Sequence, residues 1–332
     1  MAYKILETKT ENDAQSMREQ FALDVLMGFS SKHKYLPSKY FYDDRGSELF
    51  SKITETPEYY PTQCEFNILQ SKGRDIAQSL GQTNMNIVEL GAGDGRKTLL
   101  FLRQLLENQQ NFEYHPIDIS EYAIEKLDQT LKRELPELSH QGLVGEYFVS
   151  LKWIKENKKG KNVILFLGSN IGNFHLAQAL VFLRSLWKNL NHGDQLLIGF
   201  DLKKDIDVLL WAYNDRSGFT RDFNLNILER INRELGGHFD LKNFQHFGTY
   251  NPHIGAMESY LISLCQQDVI IDELEKGFRF RAYEPIHLEY SYKYLEEDIA
   301  YLAKESGFSI QKNFYDQKKF YINSLWQVEK TY

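Results

Sequence analysis

Residues 86–98 read Asn-Ile-Val-Glu-Leu-Gly-Ala-Gly-Asp-Gly-Arg-Lys-Thr, an apolar run that breaks into three alternating glycines and restarts as a helix former. No other stretch limits the fold so strongly. Ile87, Val88 and Leu90 suit a strand buried on both faces, as in a parallel sheet. Gly91, Gly93 and Gly95 allow a tight turn and a close approach of ligand to backbone, and the helix that starts beyond them offers unpaired N–H groups. Arg96 stands where the dinucleotide pattern Gly-x-Gly-x-x-Gly has its last glycine, which favours a ligand without a pyrophosphate.

A second apolar stretch, 114–119, carries Asp118 near its C-terminal end, where a carboxylate accepts from ribose hydroxyls. Residues 89–118 therefore read as a strand-helix-strand unit that holds a nucleoside. S-adenosylmethionine is the common nucleoside cofactor lacking a pyrophosphate; NAD is the alternative. The plain structural reading, glycines that merely turn a strand into a helix, loses ground once Asp118 is added.

The pattern then repeats. Ser120 caps a helix with Ala123, Leu127 and Leu131, and a short strand at 143–144 precedes Glu146 and Tyr147, a pair suited to one hydrogen bond and one stacked face on an adenine. Residues 162–168 form a central strand ending in Gly168-Ser-Asn-Ile-Gly-Asn173, at the sheet edge where open α/β folds bind ligands, although small and amide residues suit any turn. A helix over 175–190 and a fifth strand over 195–201 complete a doubly wound α/β sheet. A helix at 295–306 and two segments, 308–314 and 320–328, close it as an antiparallel pair.

From 203 to 293 the pattern changes. Helical stretches at 209–213 and 223–235 precede strand-like segments at 257–266 and 278–292, an insertion that builds a second, α+β domain. Upstream, 13–28 predicts a helix with a stripe of Met17, Phe21, Val25 and Leu26 and with Gly28 as its stop. Leu49, Phe50 and Ile53 make an amphipathic turn between tyrosine clusters. Tyr40, Tyr42, Tyr59 and Tyr60 read either as a binding wall or as packing residues with hydroxyls in water. Thr62-x-x-Glu65 after Pro61 reads as a capping box that opens a helix toward Leu80.

Composition narrows the partners. With 332 residues, 42% hydrophobic and 14% aromatic, the chain can bury one large core or two modest ones. A net charge of -7 argues against a nucleic-acid partner, which needs clustered Lys and Arg. Cys64 and Cys265 are the only cysteines, fewer than a stapled secreted fold uses, with a single bridge left open. The start of the chain lacks an apolar signal core, and no run approaches the ~18 apolar residues of a spanning helix. The expectation is a cytoplasmic protein without a membrane partner. The nine histidines show no metal-ligand spacing, so no metal site is expected.

Four segments carry a resemblance. Lys-Tyr-Phe-Tyr-Asp-Asp-Arg-Gly-Ser-Glu-Leu-Phe at 39–50, Pro-Glu-Tyr-Tyr-Pro-Thr at 57–62, Phe-Leu-Gly-Ser-Asn-Ile-Gly-Asn at 166–173 and Glu-Tyr-Ser at 289–291 resemble the histidine Nα-methyltransferases of ergothioneine biosynthesis. The likeness runs from about residue 21 to the C-terminus. It implies a class I methyltransferase (Rossmann-like) domain over 63–202 and 294–332, and a substrate-binding domain over 21–62 and 203–293. It implies S-adenosylmethionine held by Gly91, Gly93, Lys97, Asp118, Glu146 and Tyr147, with S-adenosylhomocysteine as product. Tyr59 and Tyr213 would hold the histidine carboxylate, Asn173 with Tyr42 would orient the α-amine, and Glu289 and Ser291 would bond the imidazole. Residues two apart on a strand share a face, which supports the last pair independently. Asn170 stands where the family usually has threonine, and Ser259 where it usually has methionine, so the side chain accepted is the open point.

The implied reaction is methylation of the α-amine of histidine, three times, to the trimethyl betaine, by an enzyme whose partner is a small amino acid and which acts as a monomer. The rivals are an N-methyltransferase for another aromatic amino acid such as tryptophan, a non-catalytic cofactor-binding regulatory or interaction protein, and an NAD-dependent oxidoreductase.

Overall fold

The computed structural model describes residues 3–6, 11–81, 84–93 and 95–330, with backbone alone for 11–14; Asp94 of the glycine loop lies outside the described residues. The chain divides into two compact units, one of Met1–Thr8, Pro61–Lys203 and Lys293–Tyr332, the other of Lys9–Tyr60 and Lys204–Tyr292.

The first unit is built on an eight-stranded sheet. Its strands run, edge to edge, Tyr3–Ile5, Gly142–Val144, Phe112–Asp118, Met85–Leu90, Lys161–Phe166, Gln195–Asp201, Tyr321–Val328 and Phe308–Tyr315. The first six are parallel. The last two run antiparallel, as the terminal hairpin requires. Every residue of Met85–Leu90 and of Gln195–Asp201 is buried, which is why these strands are mostly apolar and show no alternation. Chain order reverses between Met85–Leu90 and Lys161–Phe166, and a crevice for ligand opens at the carboxyl ends of strands at such a point. Helices Arg96–Glu107, Glu121–Glu134, Tyr147–Asn157, Leu176–Asn189 and Glu296–Ser306 connect the strands. Ser120 caps the second of these, its hydroxyl accepting from Ala123 N at 3.2 Å.

One expectation fails here. The helix Tyr60–Leu80 begins two residues before the proposed capping box, and Glu65 does not serve its end. Its carboxylate is wholly buried inside the unit instead.

The second unit has a four-stranded sheet, ordered Lys34–Tyr35, Pro285–Tyr292, Ala256–Ser263 and Phe244–Asn251, and a hairpin of Gln267–Ile271 with Lys276–Phe280. Helices Glu11–Ser30, Asp44–Thr54, Ile206–Ala212 and Phe219–Leu235 belong to it. One core unites Phe21, Val25, Phe29, Phe41, Ile227 and Ile286. The segment read as one strand over 278–292 is two: Glu284 accepts from Arg281 N at 2.7 Å and Tyr283 takes a φ of 62°, a turn that hydrophobic periodicity cannot register. Strand Phe244–Asn251 escaped the sequence reading because its apolar and polar residues alternate irregularly.

Gly28 does not stop its helix, which continues to Ser30. Its role is close approach, because a Cβ there would stand 2.0 Å from the Tyr35 carbonyl oxygen. The buried stripe is Phe21, Ala22, Val25 and Phe29, whereas Met17 is exposed. Cys64 and Cys265 are not joined in a disulfide. Among the described residues no helix is long and apolar enough to cross a membrane.

Candidate functional site

In the first unit the glycine loop has the conformation its composition suggests. Gly91, Gly93 and Gly95 take φ values of 72°, 54° and 68°, a left-handed region costly to residues with a Cβ. Gly91 N donates to Ile117 O at 3.0 Å, which seats the loop beside the end of the neighbouring strand. That strand ends in Asp118, whose carboxylate accepts from Ser120 N at 2.9 Å. Gly145 N donates to Asp118 O at 3.0 Å and brings in the next loop, where exposed Glu146 precedes the helix of Tyr147. A Cβ on Gly91 would lie 2.8 Å from the Tyr147 hydroxyl, so this ring leans over the loop. Burial, then the charges of Asp118 and Glu146, push the Tyr147 phenol up to about 12. Gly91, Asp118, Glu146 and Tyr147 thus meet at the carboxyl edge of three adjacent strands. Beside Gly93, the space a Cβ would enter has no atom within 4 Å.

Two carboxylates behind this edge were not read as site residues from the sequence. Glu89 accepts from Thr98 Oγ1 at 2.5 Å and from the Tyr114 hydroxyl. Burial pushes it up to about 7, against the pull of those hydroxyls and of Lys97. Glu65 takes the Lys97 ammonium at 2.5 Å and Gly168 N at 2.9 Å. Lys97 therefore follows the glycine loop with its cation on an internal partner.

The 168–173 loop is pinned from several sides. Gly168 and Ser169 both have positive φ, 80° and 56°. Ser169 Oγ accepts from Asp201 N at 3.0 Å, and the Tyr294 hydroxyl donates to Ile171 O at 3.1 Å. Half-buried Asn173 ends the 3-10 turn Asn170–Asn173. Loop composition signalled none of these anchors, which come from distant segments of the chain.

In the second unit the tyrosines separate by role. Tyr40 is a core residue: its ring lies 4.3 Å from Phe21 and its hydroxyl donates to Asp24 at 2.7 Å rather than to water. Tyr60 accepts from the Lys204 ammonium at 2.9 Å. Tyr42, Phe50, Tyr59 and Tyr213 form a row of edge-on rings, with successive centroids 5.6, 6.1 and 6.4 Å apart. At its end the Tyr213 hydroxyl donates to Ser291 Oγ at 2.6 Å. A register shift between His287 and Glu289 changes the phase of that strand. The rings of His287, Tyr290 and Tyr292 gather on one face, leaving Glu289 and Ser291 to share the other. Ser259 stands directly opposite Glu289.

The backbone of Tyr213 is itself held. His246 Nε2 donates to Tyr213 O at 2.9 Å, and its Nδ1 accepts from Asn224 at 3.0 Å. Among the described residues no group of His, Cys, Asp and Glu could hold a metal ion.

A doubly wound sheet of this strand order, with a glycine turn at its reversal point and an acidic residue ending the neighbouring strand, is that of a class I S-adenosylmethionine-dependent methyltransferase. Residues 21–328 match the histidine-specific, S-adenosylmethionine-dependent methyltransferases, and the chain belongs to that family. A histidine N-alpha-methyltransferase of Mycolicibacterium smegmatis is 34% identical over 294 residues, 89% of this chain and 90% of that one. One of Mycobacterium tuberculosis is 35% identical over 276 residues, 83% of this chain and 85% of its own. An L-tryptophan methyltransferase of Psilocybe serbica is 27% identical over 311 residues, 86% of each chain. The chain is thus a methyl-transferring enzyme whose cofactor is S-adenosylmethionine.

Proposed function

We propose that the enzyme methylates the α-amine of free L-histidine in three successive transfers, giving the trimethyl betaine that leads toward ergothioneine. Bound S-adenosylmethionine supplies a methyl group activated by positive sulfur. The chain's work is then to hold, orient and dry the amine. Gly91, Gly93, Asp118, Glu146, Tyr147 and Lys97 hold the cofactor, with Asp118 on the ribose and the Glu146-Tyr147 pair at the adenine. The room at Gly93 and the cover of Tyr147 over Gly91 suit a nucleoside pressed against backbone. Tyr59 and Tyr213 hold the substrate carboxylate, Asn173 and Tyr42 orient the amine, and Glu289 and Ser291 accept and donate at the imidazole. Positioning of this kind can supply most of the rate for an attack on an already activated carbon. Desolvation favours the neutral amine that each attack needs. We place the enzyme in the cytoplasm, in keeping with two cysteines that form no disulfide, and as a monomer.

The observation that supports the reading is the Tyr213–Ser291 hydroxyl pair at 2.6 Å, on the strand face that Ser291 shares with Glu289. Incubation with histidine and S-adenosylmethionine should give, by mass spectrometry, products with one, two and three added methyls. Tyr213→Phe should raise the KM for histidine about 10-fold or more while sparing the KM for the cofactor, as expected for losing a hydrogen bond to a charged group. Ser259 beside Glu289 keeps tryptophan as the second reading, and a preference for tryptophan over histidine would replace the first. Cofactor binding with no methylated product from either amino acid would make the protein a non-catalytic binder.

A further inference from the structure

Helix Tyr60–Leu80 carries one carboxylate into the interior of the first unit. The Glu65 side chain has no exposed surface, yet three donor groups from distant segments converge on it. Gly168 N donates to both oxygens, at 3.1 and 2.9 Å, the Lys97 ammonium lies at 2.5 Å and the Tyr321 hydroxyl at 3.1 Å. The packing is close enough that a Cβ on Gly199 would stand 2.5 Å from both Glu65 Oε1 and the Tyr321 oxygen. Lys97 sits in the first turn after the glycine loop, and Gly168 opens the loop that ends at Asn173. The Lys97 side chain keeps 26% of its surface open, so the ammonium stands between a buried anion and the outside.

We infer that Glu65 is a positioning residue for methyl transfer, locking the helix that starts at the glycine loop to the loop that carries Asn173. Its charge has two effects. It fixes the direction of the Lys97 ammonium, and it neutralises a cation that would otherwise oppose the positive sulfur of the cofactor. Hydrogen-bonded ion pairs in such a dry setting hold strict geometry, because breaking them leaves a charge uncompensated. The inference rests on the roles proposed above for Lys97 and Asn173.

Glu65→Gln keeps shape and, with its amide oxygen in the Oε2 position, an acceptor for Gly168 N and Lys97, but it removes the negative charge and turns an amide N–H toward the Tyr321 hydroxyl. Calorimetry with S-adenosylhomocysteine and steady-state kinetics should show affinity for the product and kcat each falling about 10-fold or more. In a Lys97→Met background the same change should cost at least about 5-fold less, the coupling expected of direct contact. Folded Glu65→Gln enzyme with wild-type kcat and affinity, or an equal loss in both backgrounds, would overturn the inference; a merely structural role predicts lower melting temperature without that coupling. If Glu65→Gln does not fold, Tyr321→Phe removes one donor and keeps the ion pair, and kcat should drop by about 3- to 10-fold; an unchanged kcat counts against Glu65. Product binding needs no amino acid, so it reads Glu65 even if histidine proves not to be the substrate.

Discussion

Glu89→Gln isolates one buried charge whose effect on stability has a definite sign. The residue stands next to last in the strand Met85–Leu90, 5% exposed, with its carboxyl between the hydroxyls of Thr98 and Tyr114. Burial raises it from an ordinary 4.5 to about 7. A folded-state value above the unfolded one means that the native protein binds more protons between those pH values. The stabilisation is therefore complete below pH 4.5 and lost as pH rises through 7. At 1.36 kcal/mol per pH unit, the swing between pH 5 and pH 8 is on the order of 2–3 kcal/mol. Glutamine does not titrate; one hydroxyl keeps donating to its amide oxygen while the other rotates to accept from its amide N–H. The free energy of unfolding of Glu89→Gln, relative to wild type, should thus climb by about that amount from pH 5 to pH 8.

Two compact units need not unfold together, so the probe must be local. Trp153, Trp187 and Trp326 lie in the first unit and Trp211 in the second. In a Trp211→Phe background, urea unfolding followed by fluorescence reports the unit that holds Glu89. A variant-minus-wild-type difference flat within about 0.5 kcal/mol across that range would refute the assignment of a raised carboxyl to Glu89.

His115 should give the opposite slope. Burial holds its imidazole down to about 4 against the pull of Glu113, so its contribution is present above pH 6.5 and lost as pH falls toward 4. Wild type should lose about 2 kcal/mol relative to His115→Asn between pH 7 and pH 5, by the same fluorescence assay. Gly28→Ala tests packing in the second unit: helix propensity favours alanine by about 1 kcal/mol, yet a Cβ set 2.0 Å from a backbone oxygen must displace it. Net destabilisation of about 1–3 kcal/mol is expected from hydrogen exchange of the core amides of the second unit; a stabilised variant would show that the helix can slide.

Local chemistry made much of the first unit legible. Strands buried on both faces produce continuous apolar runs, and the positive φ of three alternating glycines is a property of residues adjacent in the chain. The doubly wound class and the antiparallel closing pair follow from such signals, whereas the strand order and the edge strand Tyr3–Ile5 do not. In the second unit the signals were weaker. Pro285–Tyr292 and Lys276–Phe280 merged into one apolar segment because a turn made by Glu284 accepting from Arg281 N leaves no mark on periodicity.

What no local pattern could contain is the company each polar group keeps. Glu65 has the spacing of a capping residue, and its destination became visible only when Gly168, 103 positions away, and Tyr321, 256 away, arrived at the same carboxylate. Tyr40 and Tyr42 sit two residues apart in one tyrosine-rich motif, yet one is sealed in the core by Phe21 while the other joins the row leading to Tyr213. Sequence constrains what lies within a few residues, since backbone geometry and side-chain period act at that range. Burial, the pairing of charges and the raised Glu89 carboxyl depend on the dielectric and donors supplied by remote strands, and those exist only once the chain has folded.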